Sequence, residues 1–389
     1  MAGIFDSKYF NSEVFGKYLE TVPRVKQNAF IKSGVLRTRN DLKTLLSDQT
    51  GGNIVSVPMV GRIGGNAINY DGSTNITATS IGTFLQTMIV VGRAKAWTER
   101  DFSYDITGGH DFMADIAAQV GDYWDDIDQA TILAVLKGIF GVTANSFTSD
   151  HTLDISGEAG TAANVGATSL NNALQKAVGA NKNLFALAIA NSQVVTNLEN
   201  QQLVDYVKGT DANGMQRDMS MATWNGRTLM VDDEGTTLHG YVSTTSGATG
   251  ALKVVASGAT TGQVNLADVT GSDFYPDGVA ADDYVAAQTR YVTYLLGNGA
   301  IDYCDCGVKV PNEVNRDPAT NGGMDTLYTR QRKLFAPHGF SFVQANPAIV
   351  SPTDAELGTA ARWTVVTDTA GTSYYDSKAI PIARIISLG

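Results

Sequence analysis

Cysteine is nearly absent from this chain. Cys304 and Cys306 are the two in 389 residues, too few and too close for a disulfide framework, and that usage fits a reducing compartment. Histidine is almost as rare. His110, His151, His239 and His338 are scattered, and none falls in a metalloprotease, triad or nucleophile-elbow spacing. No window of eighteen apolar residues exists, and Met1-Ala2-Gly3-Ile4-Phe5-Asp6 lacks the basic-then-greasy pattern of a signal peptide. Neither a membrane span nor a leader is therefore expected, which places the chain in the cytoplasm of the cell that makes it. Disorder is excluded by a hydrophobic content of 43%, enough to bury a large core in two or three sub-domains.

Chemistry-bearing constellations are equally thin. Two residues apart on a strand, Cys304 and Cys306 would share one face, but a structural zinc wants four ligands and no second Cys or His pair lies near. Asp232-Asp233-Glu234 follows a strand and has the groups for cation binding or acid–base work, although a solvated turn describes it better. Asp205, Asp211 and Asn213 with Gly214 miss the full calcium-loop register. Gly61-Arg62-Ile63-Gly64-Gly65 fits neither the dinucleotide nor the Walker pattern. No catalytic, cofactor-binding or metal-binding residue is assigned, and an enzyme is not expected.

The charge is lopsided. Residues 1–43 carry Lys8, Lys17, Arg24, Lys26, Lys32, Arg37, Arg39 and Lys43 against Asp6, Glu13, Glu20 and Asp41. That is a net of +4 within a chain of net −11, so the remainder carries −15. A basic arm precedes an acidic body. Such an arm suits a strap lying on acidic neighbours or nucleic acid, while the acidic body argues against a dedicated nucleic-acid binder.

The strongest local pattern is a run of about thirty residues, Gly109 to Gly141. Phe112, Ile116, Val120, Tyr123, Ile127, Ala130 and Ala134 recur at steps of three or four, with Met113, Ala117, Trp124, Leu133 and Leu136 widening the stripe. No proline interrupts it. Its first half is rich in aspartate and its only base is Lys137 near the end, the polarity that the helix dipole favours. Upstream, Ser12 to Glu20 and Thr38 to Leu46 carry weak helical patterns. Between lies a two-stranded excursion over 53–102, whose glycine-rich tip has too few large apolar residues for a core of its own. Such a hairpin needs a partner surface.

Downstream the spacing predicts a helix over 169–178 ended by Gly179, a buried strand over 184–190, and a helix capped by Asn191 or Ser192 running to about Val207. Asn225-Gly226 predicts a tight hairpin between 219–224 and 227–231. Strands follow at 291–296, 301–303, 332–335, 341–343, 363–366 and 380–386. Over 243–288, 25 of 46 residues are Ser, Thr, Gly or Ala, and Lys253 faces five aspartates. This tract is expected as an exposed insertion with small strands.

Several of these segments resemble the major capsid proteins of tailed bacteriophages. They are Leu184 to Tyr206, the hairpin ending Val231-Asp232-Asp233, Tyr294 to Ile301, Arg332 to Phe340, and Ser351-Pro352-Thr353-Asp354-Ala355-Glu356-Leu357 followed by Trp363. The last is the most specific. Ala190-Asn191 departs from the Met-His pair that such proteins often carry. The resemblance implies an α+β, Hong Kong 97-like fold: N-arm 1–50, E-loop 51–102, peripheral domain 103–164 with a spine helix over 109–141, and axial domain 165–242 and 289–389 around the 243–288 insertion. It implies no enzyme and no cofactor. The chain itself is the first expected partner, in hexamers and pentamers of a shell. A portal protein, a separate scaffolding protein, a decoration protein and packaged double-stranded DNA follow, with no membrane. The expected location is the virion capsid, assembled in the host bacterial cytoplasm.

Residues 53–92 contain no lysine and Arg62 is their only base, so the isopeptide crosslink of some members of that family is not expected. The residues expected at intersubunit contacts are Arg24, Lys26, Arg37, Arg39 and Arg62, facing Asp122, Asp125 and Asp126 on the spine. Two alternatives stand beside this one, an encapsulin-like nanocompartment shell and a secreted acidic β-rich surface protein.

Overall fold

The computed structural model describes residues 33–47, 53–61, 66–73, 75–76, 82–101, 112–143, 145–210, 216–344, 350–368, 371 and 373–389. The helix expected over 12–20 and the bases Arg24, Lys26 and Arg62 lie outside them. The described chain forms two compact units. One runs up to Thr148 and includes Asn298–Ile380; the other is Ser149–Gly297 with Pro381–Gly389.

The first unit is built on a six-stranded sheet and the helix Phe112–Ile139. The strands run in the order Leu36–Thr38, Ile301–Asp305, Met324–Pro337, Thr83–Arg100, Ile54–Val60, with Asn312–Asp317 also on Met324–Pro337. At ~1.5 Å per residue the 28-residue helix is about 42 Å long. Its middle packs Val120 and Trp124 against Leu327, with Trp97 edge-on to Tyr123 at 5.3 Å. Its last turns are enclosed on more than one side: Ile132, Leu133, Val135, Leu136 and Ile139 are all buried. Gly138 permits this closeness, since a Cβ there would lie 2.1 Å from the Leu357 carbonyl oxygen. Trp363 Nε1 donates to that same oxygen at 2.7 Å.

The domain boundaries differ from those expected. Residues 298–380 were expected in the axial domain, yet they complete the sheet beside the long helix. The cause is strand pairing: Met324–Pro337 runs antiparallel to Thr83–Arg100 in unbroken register from Met324↔Arg100 to Leu334↔Val90. Residues 149–164, expected beside the helix, belong to the second unit, where Thr152–Asp154 pairs with the terminal strand Ile382–Ser387.

The second unit is a ten-stranded sheet with the helices Ser169–Val178 and Ser192–Asn200. Tyr284–Gly297 is its axis and pairs with Phe185–Ala190, Thr237–Ser243, Ala251–Val255 and Ile382–Ser387. Leu170, Leu174, Phe185, Ala188, Val194, Leu198, Leu295 and Ile385 form its core. Gly179 takes φ +64 where the first helix stops. Asn225 and Gly226, at φ +51 and +77, make the tight turn that the dipeptide predicts. The second helix is shorter than expected. It ends at Asn200, Gln202 turns the chain at φ +57, and Val204–Thr210 leaves as a strand against Gln216–Trp224. Cross-strand pairing there overrides local helical spacing.

The 243–288 tract is not a separable insertion. Ala251–Val255, Gln263–Asn265 and the short helix Leu266–Thr270 close around Val254, Val264, Val269 and Val285. Small residues suffice because these strands extend the existing sheet, Ala251 pairing with Ala286. The axial strand begins inside the tract, at Tyr284.

Candidate intersubunit surfaces

The strand Leu36–Thr38 lies parallel to Ile301–Asp305 and sets Arg37 opposite Asp302. Arg37 grips that carboxylate with two hydrogen bonds, Nε to Oδ1 at 2.6 Å and Nη2 to Oδ2 at 2.9 Å. Arg39 adds Nη1 to Oδ2 at 3.4 Å and donates to Asp41 at 2.7 Å. Asp302 is fully buried, and a buried carboxylate requires such partners. Asp41 is held down at about 2, chiefly by the Arg39 hydrogen bond, and Arg39 is raised in turn. Arg37 and Arg39, expected to meet a neighbouring copy's spine acids, thus have partners in their own chain. They fasten the strand that follows the basic arm.

The acidic run of the long helix divides by helical phase. Asp122 and Asp126 are exposed, whereas Asp125 and Asp128 are buried. Asp125, expected on the free face, is buried instead: at ~100° per residue it lies between Asp122 and Asp128 around the helix, and the packing against the sheet reaches it. Asp128 forms an ion pair with buried Lys333 and accepts from Gln331 Nε2 at 3.1 Å. Sequence reasoning missed this pair, because a lysine in a strand carries no signal of its partner 205 positions away.

The hairpin is anchored at its base and exposed at the described residues of its tip. Gln86 Nε2 donates to the Pro337 and Phe340 carbonyls at 2.9 and 3.0 Å, and Ser341 Oγ accepts from Thr87 N at 3.1 Å. Arg93 binds Asp354 at 2.6 Å and the Pro352 carbonyl at 2.9 Å, while Thr131 on the long helix donates to Asp354 at 3.2 Å. The Ser-Pro-Thr-Asp segment thus ties strand to helix, and Thr353 with Glu356 forms a capping box there. Farther out, Val60 is 68% exposed, Ile76 77% and Tyr70 90%. Large apolar side chains in water on a coreless hairpin mark a contact surface.

The acidic turn and the two cysteines have structural neighbours. Asp233 accepts from Ser192 N at 2.9 Å and Asp232 from Glu234 N at 2.7 Å, so this acidic turn caps the helix Ser192–Asn200. Cys304 and Cys306 are buried in the core beside Leu42, Met88 and Leu334. Burial raises both thiols, Cys306 to about 12. Among the described residues no group of three His, Cys, Asp or Glu is placed to hold a metal.

No family model matches the chain. Over 372 residues it is 24% identical to the major capsid protein of Bacillus phage SPP1, covering 96% of this chain and 94% of that protein. Among solved structures, the Cyanophage Pam1 capsid aligns with a TM-score of 0.50 at 11% identity, over 100% of this chain and 97% of that one. The capsid of Ralstonia phage GP4 aligns at 0.49 and 10%, over 92% and 88%. The fold is the Hong Kong 97-like α+β fold of phage capsids, and the full-length likeness to a major capsid protein supports a phage shell-forming protein.

Proposed function

We propose that copies of this chain close the icosahedral shell around a tailed-phage genome through two reaching elements, residues 1–50 as N-arm and the hairpin over 51–102 as E-loop. The observation that carries this is the hairpin itself, fixed at Gln86, Thr87 and Arg93 yet exposing Val60, Tyr70 and Ile76. Such a surface gains its apolar burial from another copy. Asp122 and Asp126 are exposed on the long helix, and a neighbour's Arg24, Lys26 or Arg62 is proposed opposite them, an arrangement of complementary charge. Weak contacts repeated over a shell are enough to hold it.

The role is structural rather than catalytic. Genome contact on the inner face is without sequence specificity, in keeping with a net charge of −11. A portal protein, a separate scaffolding protein and a decoration protein complete the proposed partners, with assembly in the host cytoplasm. No crosslink is proposed, since residues 53–92 lack lysine. The nanocompartment and secreted-surface readings lack support of this kind.

Expressed in bacteria, with a scaffold where required, the chain gives closed shells by electron microscopy that dissolve to single chains in hot detergent. A monomer under every condition sinks the proposal, and a covalent ladder removes the uncrosslinked reading. Replacing residues 62–81 by a short turn, which spares half-buried Val55 and Val57, leaves a folded subunit that closes no shells; normal shells would remove the E-loop assignment.

A further inference from the structure

We propose that the outer edge of the strand Thr83–Arg100, over residues 94–100, is a β-augmentation site that takes an extended segment of a second copy of this chain. The inference rests on the shell-forming reading and names one place where copies join.

The strand has 18 residues and two edges that differ. One is filled by Met324–Pro337 along its whole outer half, Val90 to Arg100. The other carries Ile54–Val60 only as far as Ile89. Alternation shows which groups are left. Val90 N donates to the Asn53 carbonyl on the hairpin side, and in an antiparallel ladder a residue sends its N–H and C=O to the same side, with period two. Gly92, Ala94, Ala96, Thr98 and Arg100 therefore point to that side too. Two further bonds agree: Gly92 N donates to Ser351 Oγ at 2.9 Å on the hairpin side, and Asp101 N donates to the Gly323 carbonyl at 3.1 Å on the opposite one.

Past Gly92 the edge has no hydrogen-bond partner among the described residues. Ala94, Ala96, Thr98 and Arg100 are all exposed. From Ala94 to Arg100, six steps of ~3.4 Å leave about 20 Å of open ladder.

Open edges are commonly blunted by proline, bulges or shortness, and three other edges here are. On Ile54–Val60 the same alternation turns Pro58 outward, since Asn53 and Gly61 bond inward. Val204–Thr210 shifts register between Tyr206 and Lys208. Leu36–Thr38 has three residues. Residues 94–100 have neither proline nor bulge, and the side chains of the positions whose backbone faces the open edge are small until Arg100. Lys95 and Arg100 nearby disfavour the basic arm as occupant. An uncharged, β-branched run fits better, and the hairpin tip of a second copy supplies one over 76–81, Ile-Thr-Ala-Thr-Ser-Ile.

Hydrogen exchange on purified wild-type chain, free and assembled, tests this directly. The amides of Ala94, Ala96, Thr98 and Arg100 exchange freely in the subunit and slow by about ten-fold or more in the assembly, whereas those of Lys95, Trp97 and Glu99, on the Met324–Pro337 ladder, are protected in both. Protection of the first four already present in the free subunit means that the chain covers its own edge, and overturns the proposal. Shells that close while these four exchange at the free rate overturn it too, leaving the shell reading intact; a chain that never assembles overturns both. Ala96→Pro supplies a second reading. It removes an outward N–H and spares the in-chain ladder, so the folded variant loses assembly, whereas Ala96→Ser keeps it. Assembly of folded Ala96→Pro at the wild-type yield rejects the site.

Discussion

Lys333 and Asp128 are both almost fully buried, and each is the other's counter-ion. Two charges taken from water are compensated only while both are present. Lys333→Met is therefore expected to destabilise the unassembled subunit by about 3–5 kcal/mol in urea unfolding, and Lys333→Met with Asp128→Leu by much less. An exposed pair would not behave this way. Asp41 gives a second residue-scale test, through pH. Its folded value of about 2 lies below the ~3.9 of an unfolded aspartate, so its contribution is present above that value and lost as pH falls toward the folded one. The stability gap between wild type and Asp41→Asn should be constant above about pH 4 and shrink toward zero near pH 2. A gap that widens on acidification contradicts the Arg39 assignment.

At the scale of elements, the close approach at Gly138 decides how the long helix ends. The Leu357 carbonyl sits where a side chain would begin, and that oxygen already accepts from Trp363 Nε1. Gly138→Ala must push backbone apart rather than move a flexible side chain, and should cost about 1–3 kcal/mol in thermal unfolding. An unchanged melting temperature would show that the segment 354–363 yields freely. The stripe of the helix was legible because 3.6-residue periodicity needs no tertiary knowledge. The neighbour at Gly138 was not, because it comes from residues more than two hundred positions later. The same limit explains the shortened helix after Asn191: the apolar run through Leu198 and Leu203 reads locally as helix, but pairing of Val204–Thr210 with Gln216–Trp224 decides the outcome.

Across the whole molecule, each unit is closed by chain that returns from far away. Ile382–Ser387 supplies Ala383 and Ile385 to the core of the second unit and pairs with both Tyr284–Gly297 and Thr152–Asp154. Cutting the chain after Pro381 should therefore make the second unit protease-sensitive while the first resists, as read by limited proteolysis and mass spectrometry. Equal resistance of both units would contradict the closure. Long-range pairing of this kind also moved residues 298–380 out of the axial assignment. No composition shift marks that boundary, because strands on either side of it are equally apolar.

The sequence alone determined the periodic elements, the Asn225-Gly226 turn, the basic arm before an acidic body, and a hairpin too poor in apolar residues to stand by itself. Each follows from spacing or composition within a few tens of residues. The tertiary structure decided partners. It turned Asp125 and Asp128 inward and Asp126 outward, gave Arg37 and Arg39 the buried Asp302, and folded the Ser/Thr/Gly/Ala tract into a sheet. The reason is physical. A side chain's phase on its own element is local, but whether it meets water, an opposite charge or a carbonyl depends on chain that sequence distance does not bring near.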